Sequence, residues 1–439
     1  MESTPAANRL SNSGALARGW EKIRNSPLWI VSVALVLRVA WIAIGHTYKF
    51  KTIDNNFSFG WEMGRIGASL VSGHGFSNQF GPPTGPTAWE PPLYPYFIAG
   101  IFQIFEIYSK ASAFVILTFN SVCSALTCLP IFWVARRMFS EKVAVVSAWA
   151  WALLPNIMFW CTRAVWETSL SALLLAILFW LTLTMEERDG WLQWFGFGLL
   201  WGIVALNGTS LIAFLPAAGL WTWYRRAKAG KRSFSGVVLA SVIFCACIAP
   251  WLIRNYETFG RFIFIRDNFG AELRLGNGDG ADGTLMLYQD PPHDPAAMRQ
   301  VQDMGEIAYI AMRKQQALAF ITADYARFAW LSVKRFVFFW ASPPKATVPA
   351  WLSPAKNLLF LASSLLAFCG LGLALKQRRP GAWLMFWLML LYPAVYYFVY
   401  ALPRYRHPIE PEMTIFCVFL LLEAGKKSGD RDSAPIAKR

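Results

Sequence analysis

The sequence predicts an all-α protein that crosses a membrane about ten times, with interfacial helices and a small extracytoplasmic region of mixed structure on its outer face. Of its 439 residues, 56% are hydrophobic and only 15% are charged. A soluble domain carries about 25% charged residues, so this chain has too little polar surface for a water-soluble globule. The same composition excludes a disordered chain. The 7 cysteines contain no Cys-x-x-Cys pair, which argues against a disulfide scaffold or a zinc site.

Ten apolar runs are long enough to cross a bilayer, which takes roughly 20 residues. These runs are 27–45, 112–134, 142–160, 166–185, 191–206, 208–224, 234–254, 355–375, 382–400 and 409–424. Two further runs, 93–108 and 326–341, are shorter and are interrupted by charged residues.

The basic residues indicate which runs cross. The chain has 41 Lys and Arg against 26 Asp and Glu, a net charge of +15. Basic clusters between the runs all fall on one side if 93–108 and 326–341 lie flat on the outer face, as the positive-inside rule requires. We therefore predict a multi-pass protein of the plasma membrane with both termini cytoplasmic. The basic loops account for the charge without a nucleic-acid partner.

This topology divides the chain into segments with different surroundings. They are a cytoplasmic N-terminal segment (1–26), a seven-helix membrane unit (27–254) that includes the outer loop 46–111, an extracytoplasmic region (255–354), three C-terminal membrane helices (355–424) and a disordered cytoplasmic tail (425–439). The two outer segments are the only long ones, so ligand chemistry is expected there.

A helix is predicted at 58–72 in the first outer loop. Its apolar residues recur at helical spacing, at Phe59, Met63, Ile66 and Leu70. Glu62 and Arg65 lie one turn apart on the opposite face, so we expect the helix to lie flat on the bilayer and present both charges outward. Such a carboxylate can take a proton from a hydroxyl while the guanidinium stabilises a leaving phosphate. The alternative is a surface ion pair worth a few tenths of a kcal/mol.

Arg38 lies near the centre of the first predicted crossing. An arginine at that depth costs at least about 2.5 kcal/mol. It is therefore expected to face the protein interior and to have a hydrogen-bonding partner there.

Four motifs lie at predicted outer helix ends, at 62–76, 89–95, 250–256 and 404–411. They read EMGRIGASLVSGHGF, WEPPLYP, PWLIRNY and RYRHPIEP. In their residues, their order along the chain and their predicted side of the membrane, these motifs resemble the bacterial family-39 branch of the C-type glycosyltransferase superfamily. That branch is related to protein O-mannosyltransferases and to the lipid A aminoarabinose transferases.

The resemblance implies an inverting glycosyltransferase that acts on the outer face. Its donor would be a polyprenyl-phosphate sugar, and its acceptor a lipid, a glycan or a protein. Family members carry an Asp at the start of the first interfacial helix, where this chain has Phe59 and Gly60. The base that deprotonates the acceptor is therefore Glu62 or, just upstream, Asp54.

Further residues near the same face are candidates for binding the lipid phosphate or the acceptor. They are Arg65, Glu90, Glu167, Arg254, Asn255, Arg266, Glu272, Arg404, Arg406 and His407. The arginines at 254 and at 404–406 suit a phosphate or a pyrophosphate, and anchoring to lipid headgroups is the alternative for each. A divalent cation, Mg²⁺ or Mn²⁺, is a candidate cofactor without assigned ligands.

Two other functions stay open. A polysaccharide ligase or polymerase with a lipid-diphosphate donor fits the two arginine groups nearly as well. A transporter or lipid flippase would need charges along a mid-membrane path and an internal repeat. Apart from Arg38 there are almost no such charges, and the sequence shows no repeat.

Overall fold

The computed structural model describes residues 25–50, 59–344 and 353–425. The candidate base Asp54 lies outside the described residues, as do 1–24 and 426–439. Within the described part the secondary structure is helical, and an isolated bridge between Ser77 and Pro86 is its only β-type pairing. The predicted all-α class is therefore confirmed. The described part of the region 255–354, predicted to be of mixed structure, consists of helices and turns.

The helices follow one another with short connections. They are α1 (Pro27–Ile44), α2 (Glu62–Val71), α3 (Leu93–Phe105), α4 (Lys110–Leu126), α5 (Cys128–Met138), α6 (Glu141–Leu153), α7 (Pro155–Arg163), α8 (Thr168–Thr184), α9 (Trp191–Asn207), α10 (Leu215–Lys228), α11 (Phe234–Phe259), α12 (Phe269–Gly276), α13 (Pro295–Ala323), α14 (Tyr325–Ala341), α15 (Ser353–Lys376), α16 (Ala382–Leu391), α17 (Ala394–Phe398), α18 (Pro403–Arg406) and α19 (Glu410–Ala424). Short 3₁₀ helices lie at Thr209–Phe214, Leu287–Gln289 and His407–Ile409.

Several of these helices are able to cross a membrane. By length and composition, 4 helices of the described residues qualify, or 5 if the bent pair α6 and α7 counts as one span. The qualifying helices are α1, the continuous unit of α4 and α5, α11 and most of α15. Other apolar helices, including α8 and α9, are 10–17 residues long. The chain is thus a multi-pass membrane protein, while the number of ten crossings and the side of the termini stay predictions.

Prolines break two of the predicted spans. The run 142–160 is divided into α6 and α7, which meet at Pro155 with a bend of 50°. The run 382–400 is divided into α16 and α17 on either side of Pro393. Proline lacks an N–H and collides with the preceding turn, so each break leaves backbone carbonyl groups without a partner inside the helix.

Arg38 of α1 supplies the partner at the first break. Its guanidinium is buried and donates to the carbonyl oxygens of Trp151 at 3.0 Å and Ala152 at 2.9 Å, at the end of α6. Its Nε donates to the hydroxyl of Ser124 on α4 at 3.1 Å. The arginine thus joins three helices and faces the protein interior, as the sequence predicts.

Close packing between α9 and α11 depends on glycine. A Cβ on Gly198 would lie 2.2 Å from the carbonyl oxygen of Ala240, and one on Gly202 would lie 2.5 Å from Cys247 Cβ. This Gly-x-x-x-Gly spacing allows two helix backbones to approach closely, which is how helices pack well in a membrane.

The first outer loop differs from its prediction. The helix begins at Glu62 rather than at 58, and one side packs on α3, where a Cβ on Gly67 would lie 2.8 Å from Ile98 Cγ2. Its other side is also buried, because the chain that follows the helix folds back over it. The hydroxyls of Ser69 and Ser77 lie 2.7 Å apart, and Arg65 donates to the backbone carbonyl of Gln79. The chain that follows the helix therefore covers Arg65 on the predicted outward face, whereas Glu62 lines a cavity.

The helix break makes Arg38 a test of the fold. Arg38→Met should lower the free energy of unfolding by about 2–4 kcal/mol, because it leaves two buried carbonyl groups unpaired. Arg136→Met is the control, since Arg136 forms an exposed ion pair with Glu141 at 2.8 Å and should change stability by less than about 0.5 kcal/mol. Thermal unfolding in detergent measures both. Equal stability of Arg38→Met and wild type would contradict the assigned role.

Candidate active site

A cavity of about 880 Å³ lies where the outer-loop segments meet the ends of the membrane helices. Its wall carries five carboxylates and two guanidinium groups. These belong to Glu62, Glu90, Glu167, Glu272, Asp290, Arg266 and Arg404. Six of the seven were candidates from the sequence, and they come from segments far apart along the chain.

Glu62 reaches the cavity from the first turn of α2. The preceding Gly60 has a φ of 81°, and a Cβ there would lie 2.3 Å from the carbonyl oxygen of Val165, so only glycine fits this turn. Burial raises the pKa of Glu62, and the carboxylate of Glu272 adds to the rise, while Arg65 partly offsets it. A carboxylate with a raised pKa is a stronger base near neutral pH.

Arg266 holds two of the carboxylates together. Its Nη1 lies 3.6 Å from Glu90 Oε2, and its Nη2 lies 4.0 Å from Glu272 Oε1. Asn268 accepts from Arg266 Nε at 2.9 Å and donates to Glu272 at 3.0 Å, and the Tyr400 hydroxyl also donates to Glu272. Even beside Arg266, burial raises the pKa of Glu90 to about 8. The charges of this group are largely balanced within the protein.

Arg404 is held differently. Its guanidinium carbon lies 3.6 Å from the ring centroid of Trp166 and 5.2 Å from that of Tyr405. Its Nε is buried without a hydrogen-bond partner. A stacked guanidinium keeps its charge and its planar set of donors, which suit a phosphate group. Arg404 is therefore suited to bind an anion in the cavity.

Arg254 and Asn255 lie outside the cavity wall. Arg254 donates to the carbonyl oxygens of Thr87 at 2.7 Å and Phe76 at 2.9 Å. Asn255 is buried and donates to the carbonyl oxygen of Ile265 at 3.1 Å. Both side chains hold loop backbone rather than face the space where a ligand would lie.

Arg406, His407 and Arg65 also lie outside the wall. Arg406 donates to Glu410 at 2.8 Å and to the carbonyl oxygen of Phe360 at 2.8 Å, and His407 pairs with the same Glu410 at 2.8 Å. Arg65 is buried behind Glu62 and donates to a backbone carbonyl at 3.2 Å. It acts on the site through its charge, since its neighbours include Glu62 and Asp290.

Two functional candidates were missed in the sequence, Asp290 and Glu306. Asp290 lines the cavity, and burial together with the carboxylates of Glu62 and Glu272 raises its pKa well above the ordinary value. Nothing in the neighbouring sequence marks Asp290 as a site residue. Glu62, whose carboxylate acts on it in the cavity, is more than two hundred residues away along the chain. It becomes a candidate only through the fold.

Glu306 is buried in α13 under the loop that carries Glu90. Its carboxylate accepts from Gln79 Nε2 at 2.6 Å, from the backbone N–H of Ala88 at 2.7 Å and from the hydroxyl of Thr87. Arg254 holds the carbonyl of Thr87 from the other side. Together they fix the 87–90 loop, so Glu306 and Arg254 position Glu90 in the cavity.

The described residues contain no group of three or more His, Cys, Asp or Glu side chains that could hold a metal ion. They therefore offer no ready ligand set for Mg²⁺ or Mn²⁺. The divalent cation stays a prediction, and no step below depends on it.

Comparisons with known proteins bear on the fold. Residues 89–253 match the family of dolichyl-phosphate-mannose-protein mannosyltransferases. Comparison with curated protein sequences gave no match. Among solved structures, the oligosaccharyltransferase AglB from Archaeoglobus fulgidus, in complex with an inhibitory peptide and a dolichol-phosphate, matches 90% of this chain and 50% of its own at 15% identity and a TM-score of 0.51. The chain thus spans about half the length of that relative.

Two further solved structures match. The Archaeoglobus fulgidus oligosaccharyltransferase tethered to an acceptor peptide with the NVT sequon gives a TM-score of 0.54 at 15% identity, covering 90% of this chain and 49% of that one. ArnT from Cupriavidus metallidurans bound to undecaprenyl phosphate gives a TM-score of 0.39 at 13% identity. The match covers 92% of this chain and 77% of that one. The chain has the fold of the C-type glycosyltransferases, so the resemblance predicted from the sequence is confirmed. Within that class, its family match is to the mannosyltransferases named above.

The support of the 87–90 loop can be tested on Glu306. Glu306→Ala should lower the free energy of unfolding by about 2–4 kcal/mol, because the N–H of Ala88 and the amide of Gln79 lose their acceptor. Asp303→Ala is the control, since Asp303 is exposed on the same helix. Thermal unfolding at pH 6 measures both, and a loss no larger than that of the control would contradict the assigned role.

The same residue predicts a pH effect. Burial raises the pKa of Glu306 to about 8, so the folded protein holds a proton there that the unfolded chain releases near pH 4.5. Stability from this group is therefore complete below about pH 4.5 and declines as the pH rises toward 8. Glu306→Gln should flatten this decline between pH 5 and 8, and an unchanged decline would contradict the assignment.

Proposed function

We propose that the chain is a membrane glycosyltransferase that transfers a sugar from a polyprenyl-phosphate donor to a lipid, glycan or protein acceptor. The observation that carries the proposal is the cavity, which places the stacked guanidinium of Arg404 among several buried carboxylates. Glycosyl transfer needs both an anion-binding cation and a base. The dolichol-phosphate bound to AglB and the mannosyltransferase family match support a polyprenyl-phosphate donor.

In the proposed reaction an acceptor hydroxyl attacks the anomeric carbon of the sugar. The new carbon–oxygen bond forms as the bond from that carbon to the phosphate oxygen breaks, with inversion at the anomeric carbon. A cavity carboxylate takes the hydroxyl proton, and the polyprenyl phosphate leaves with the bonding electron pair. Arg404 stabilises the charge that develops on the phosphate.

Glu62 is the carboxylate we assign as the base. It lines the cavity at the start of a helix, whose N-terminal dipole favours a negative charge there. Glu90 and Glu272 are paired with Arg266, and Glu272 also accepts from Tyr400, so both are less available to take a proton. Asp54 stays the competing candidate.

The number of usable cations favours a single phosphate in the donor. A diphosphate donor would need both arginine groups that the sequence offers. Outside the cavity, however, Arg254 donates to a backbone carbonyl, and Arg406 donates to a backbone carbonyl and to Glu410. This leaves Arg404 as the assigned contact. The orientation of these arginines supports a monophosphate donor over the lipid-diphosphate alternative.

The base assignment is tested by substitution. Glu62→Gln keeps the shape of the side chain and removes its basicity, so transfer should fall about 10²–10⁴-fold with unchanged thermal stability. The rate of the wild type should rise with pH through the raised pKa of Glu62, and this rise should be absent in Glu62→Gln. Release of undecaprenyl phosphate from a panel of undecaprenyl-phosphate sugars, with membrane extract as the acceptor source, measures the rate. If Asp54→Asn abolishes transfer and Glu62→Gln does not, the base is Asp54.

The phosphate contact is tested by binding. Arg404→Lys keeps the charge but loses the planar donors and the stacking on Trp166, so affinity for undecaprenyl phosphate should fall about 10–100-fold. Arg254→Lys is the matched control, because Arg254 is a partly buried arginine outside the cavity, and the affinity of this variant for undecaprenyl phosphate should stay within about threefold of wild type. Thermal stabilisation by added undecaprenyl phosphate gives both affinities. The reverse pattern would assign the phosphate to Arg254 and contradict the proposal.

A further inference from the structure

The proposed reaction leaves a proton inside the cavity after each transfer. The leaving phosphate monoester has a second pKa near 6, so at neutral pH it departs mostly without a proton. The proton of the acceptor hydroxyl therefore stays on the base, Glu62. Because the base must lose this proton before the next transfer, the cavity needs a route from Glu62 to the solvent.

Asp290 is a carboxyl group that can receive this proton. It lies on the same cavity wall as Glu62. Burial raises the pKa of both carboxyl groups, and the charge of Arg65 opposes the rise in each. The negative charge of Glu62 raises the pKa of Asp290 further. Since such effects fall off with distance, the two carboxyl groups lie around one guanidinium, and Asp290 can hold a proton near neutral pH.

His293 connects Asp290 with the outside of the protein. Its backbone N–H donates to the carbonyl oxygen of Asp290 at 2.8 Å, and its Nδ1 lies 3.8 Å from Asp290 Oδ2. Contacts of this kind in a free enzyme often shorten once the substrate is bound. The side chain of Asp290 is 6% exposed and that of His293 is 32% exposed. The pair thus extends from the buried wall of the cavity to the surface.

The imidazole of His293 also lies beside the first turn of α2. Its ring centroid is 5.3 Å from that of Trp61, which lines the cavity and directly precedes Glu62. Burial lowers the pKa of His293, and the charge of Arg65 lowers it further. His293 is therefore neutral at neutral pH and can take up a proton.

Other charged groups also act on this pair. Besides Glu62 and Arg65, they are Glu272 and Arg313, whose charges act on Asp290 in opposite directions. The carboxylate of Glu272 raises the pKa of Asp290 after burial and Glu62, and the guanidinium of Arg313 lowers it. Asp290 is thus not held in one charge state by a single close partner.

We propose that Asp290 and His293 relay the proton from Glu62 to the solvent, a proposal that rests on the proposed function. The carboxyl group of Glu62 gives its proton to the carboxylate of Asp290, which restores the base. Asp290 then protonates Nδ1 of His293, and the imidazolium gives up a proton to a buffer base outside. One proton leaves for each sugar transferred, and all three side chains return to their starting charge.

Removal of the imidazole tests the relay. In dilute buffer, His293→Ala should release undecaprenyl phosphate from the panel of undecaprenyl-phosphate sugars about tenfold more slowly than the wild type, because Asp290 loses its outlet. Added imidazole should bring this variant to within about threefold of the wild-type rate and leave the wild type unchanged. Asp290→Asn should also be slow, and imidazole should not restore it, because an amide cannot carry the proton onward.

Two further variants separate proton transfer from packing. His293→Phe keeps an aromatic ring beside Trp61 but cannot take up a proton, so it should be as slow as His293→Ala in dilute buffer. His74→Ala is the matched control, because His74 is an exposed histidine of the first outer loop. It should transfer at the wild-type rate with and without imidazole. All four variants should bind undecaprenyl phosphate within about threefold of the wild type.

The outcomes distinguish the two proposals. If His293→Ala and His293→Phe transfer at the wild-type rate in dilute buffer, the proton leaves by another route, the relay is wrong and the proposed function stands. The relay is also wrong if His293→Phe is fast while His293→Ala is slow, or if imidazole does not restore His293→Ala, since His293 would then only support Trp61. If the wild type releases no undecaprenyl phosphate from any of the donors, the proposed function fails and the relay fails with it.

Discussion

The contact of Arg266 with Glu90 and Glu272 is the interaction on which the site depends. It joins the loop before α3 to the loop after α11 and to α12, at distances of 3.6 and 4.0 Å. Isolated buried charges are strongly unfavourable, so a cavity wall with five carboxylates and two guanidinium groups is stable only if most of them are paired or protonated. Arg266 balances the carboxylates that hold the cavity together. The remaining charged groups of the wall can act on a ligand; they are Glu62, Glu167, Asp290 and Arg404.

Arginine serves two purposes in this protein, and the surrounding backbone decides which. Arg38 and Arg254 bind carbonyl groups that chain breaks and loops leave without partners, at Ala152 and at Thr87. Arg404 instead stacks on Trp166 at 3.6 Å and faces the cavity. In the first role the arginine strengthens the fold, and in the second it places a guanidinium on the cavity wall.

Much of the fold could be predicted from the sequence because it depends on local patterns. Apolar runs indicated the membrane helices, and the spacing of apolar residues at 58–72 indicated a helix around Glu62, although this helix begins at Glu62 itself. The breaks at Pro155 and Pro393 were not predicted. The mean hydropathy of a long apolar run hardly changes with a single proline, whereas the helix is broken by it. The direction of Arg254 could not be predicted either, since the carbonyl of Thr87 that it binds is 167 residues away.

The site itself was predicted in part. Glu62, Glu90, Glu167, Arg266, Glu272 and Arg404 meet in one cavity, in agreement with their predicted position at the outer face. Asp290 and Glu306 were missed, because each acquires its neighbours only through long-range packing of the region 255–354. Hydrogen-bond partners such as Gln79 and Ala88 for Glu306 have no signature in the sequence. The role of each cavity residue stays a prediction until a ligand is located.

The most direct measurement is a cryo-electron microscopy structure of the full chain with undecaprenyl phosphate bound. The account predicts phosphate density against the guanidinium of Arg404 and the ring of Trp166, with Glu62 facing the same space. It also predicts that Arg254 keeps its contacts with the 87–90 loop. Phosphate density at Arg254 or Arg406, with the cavity empty of lipid, would contradict the account.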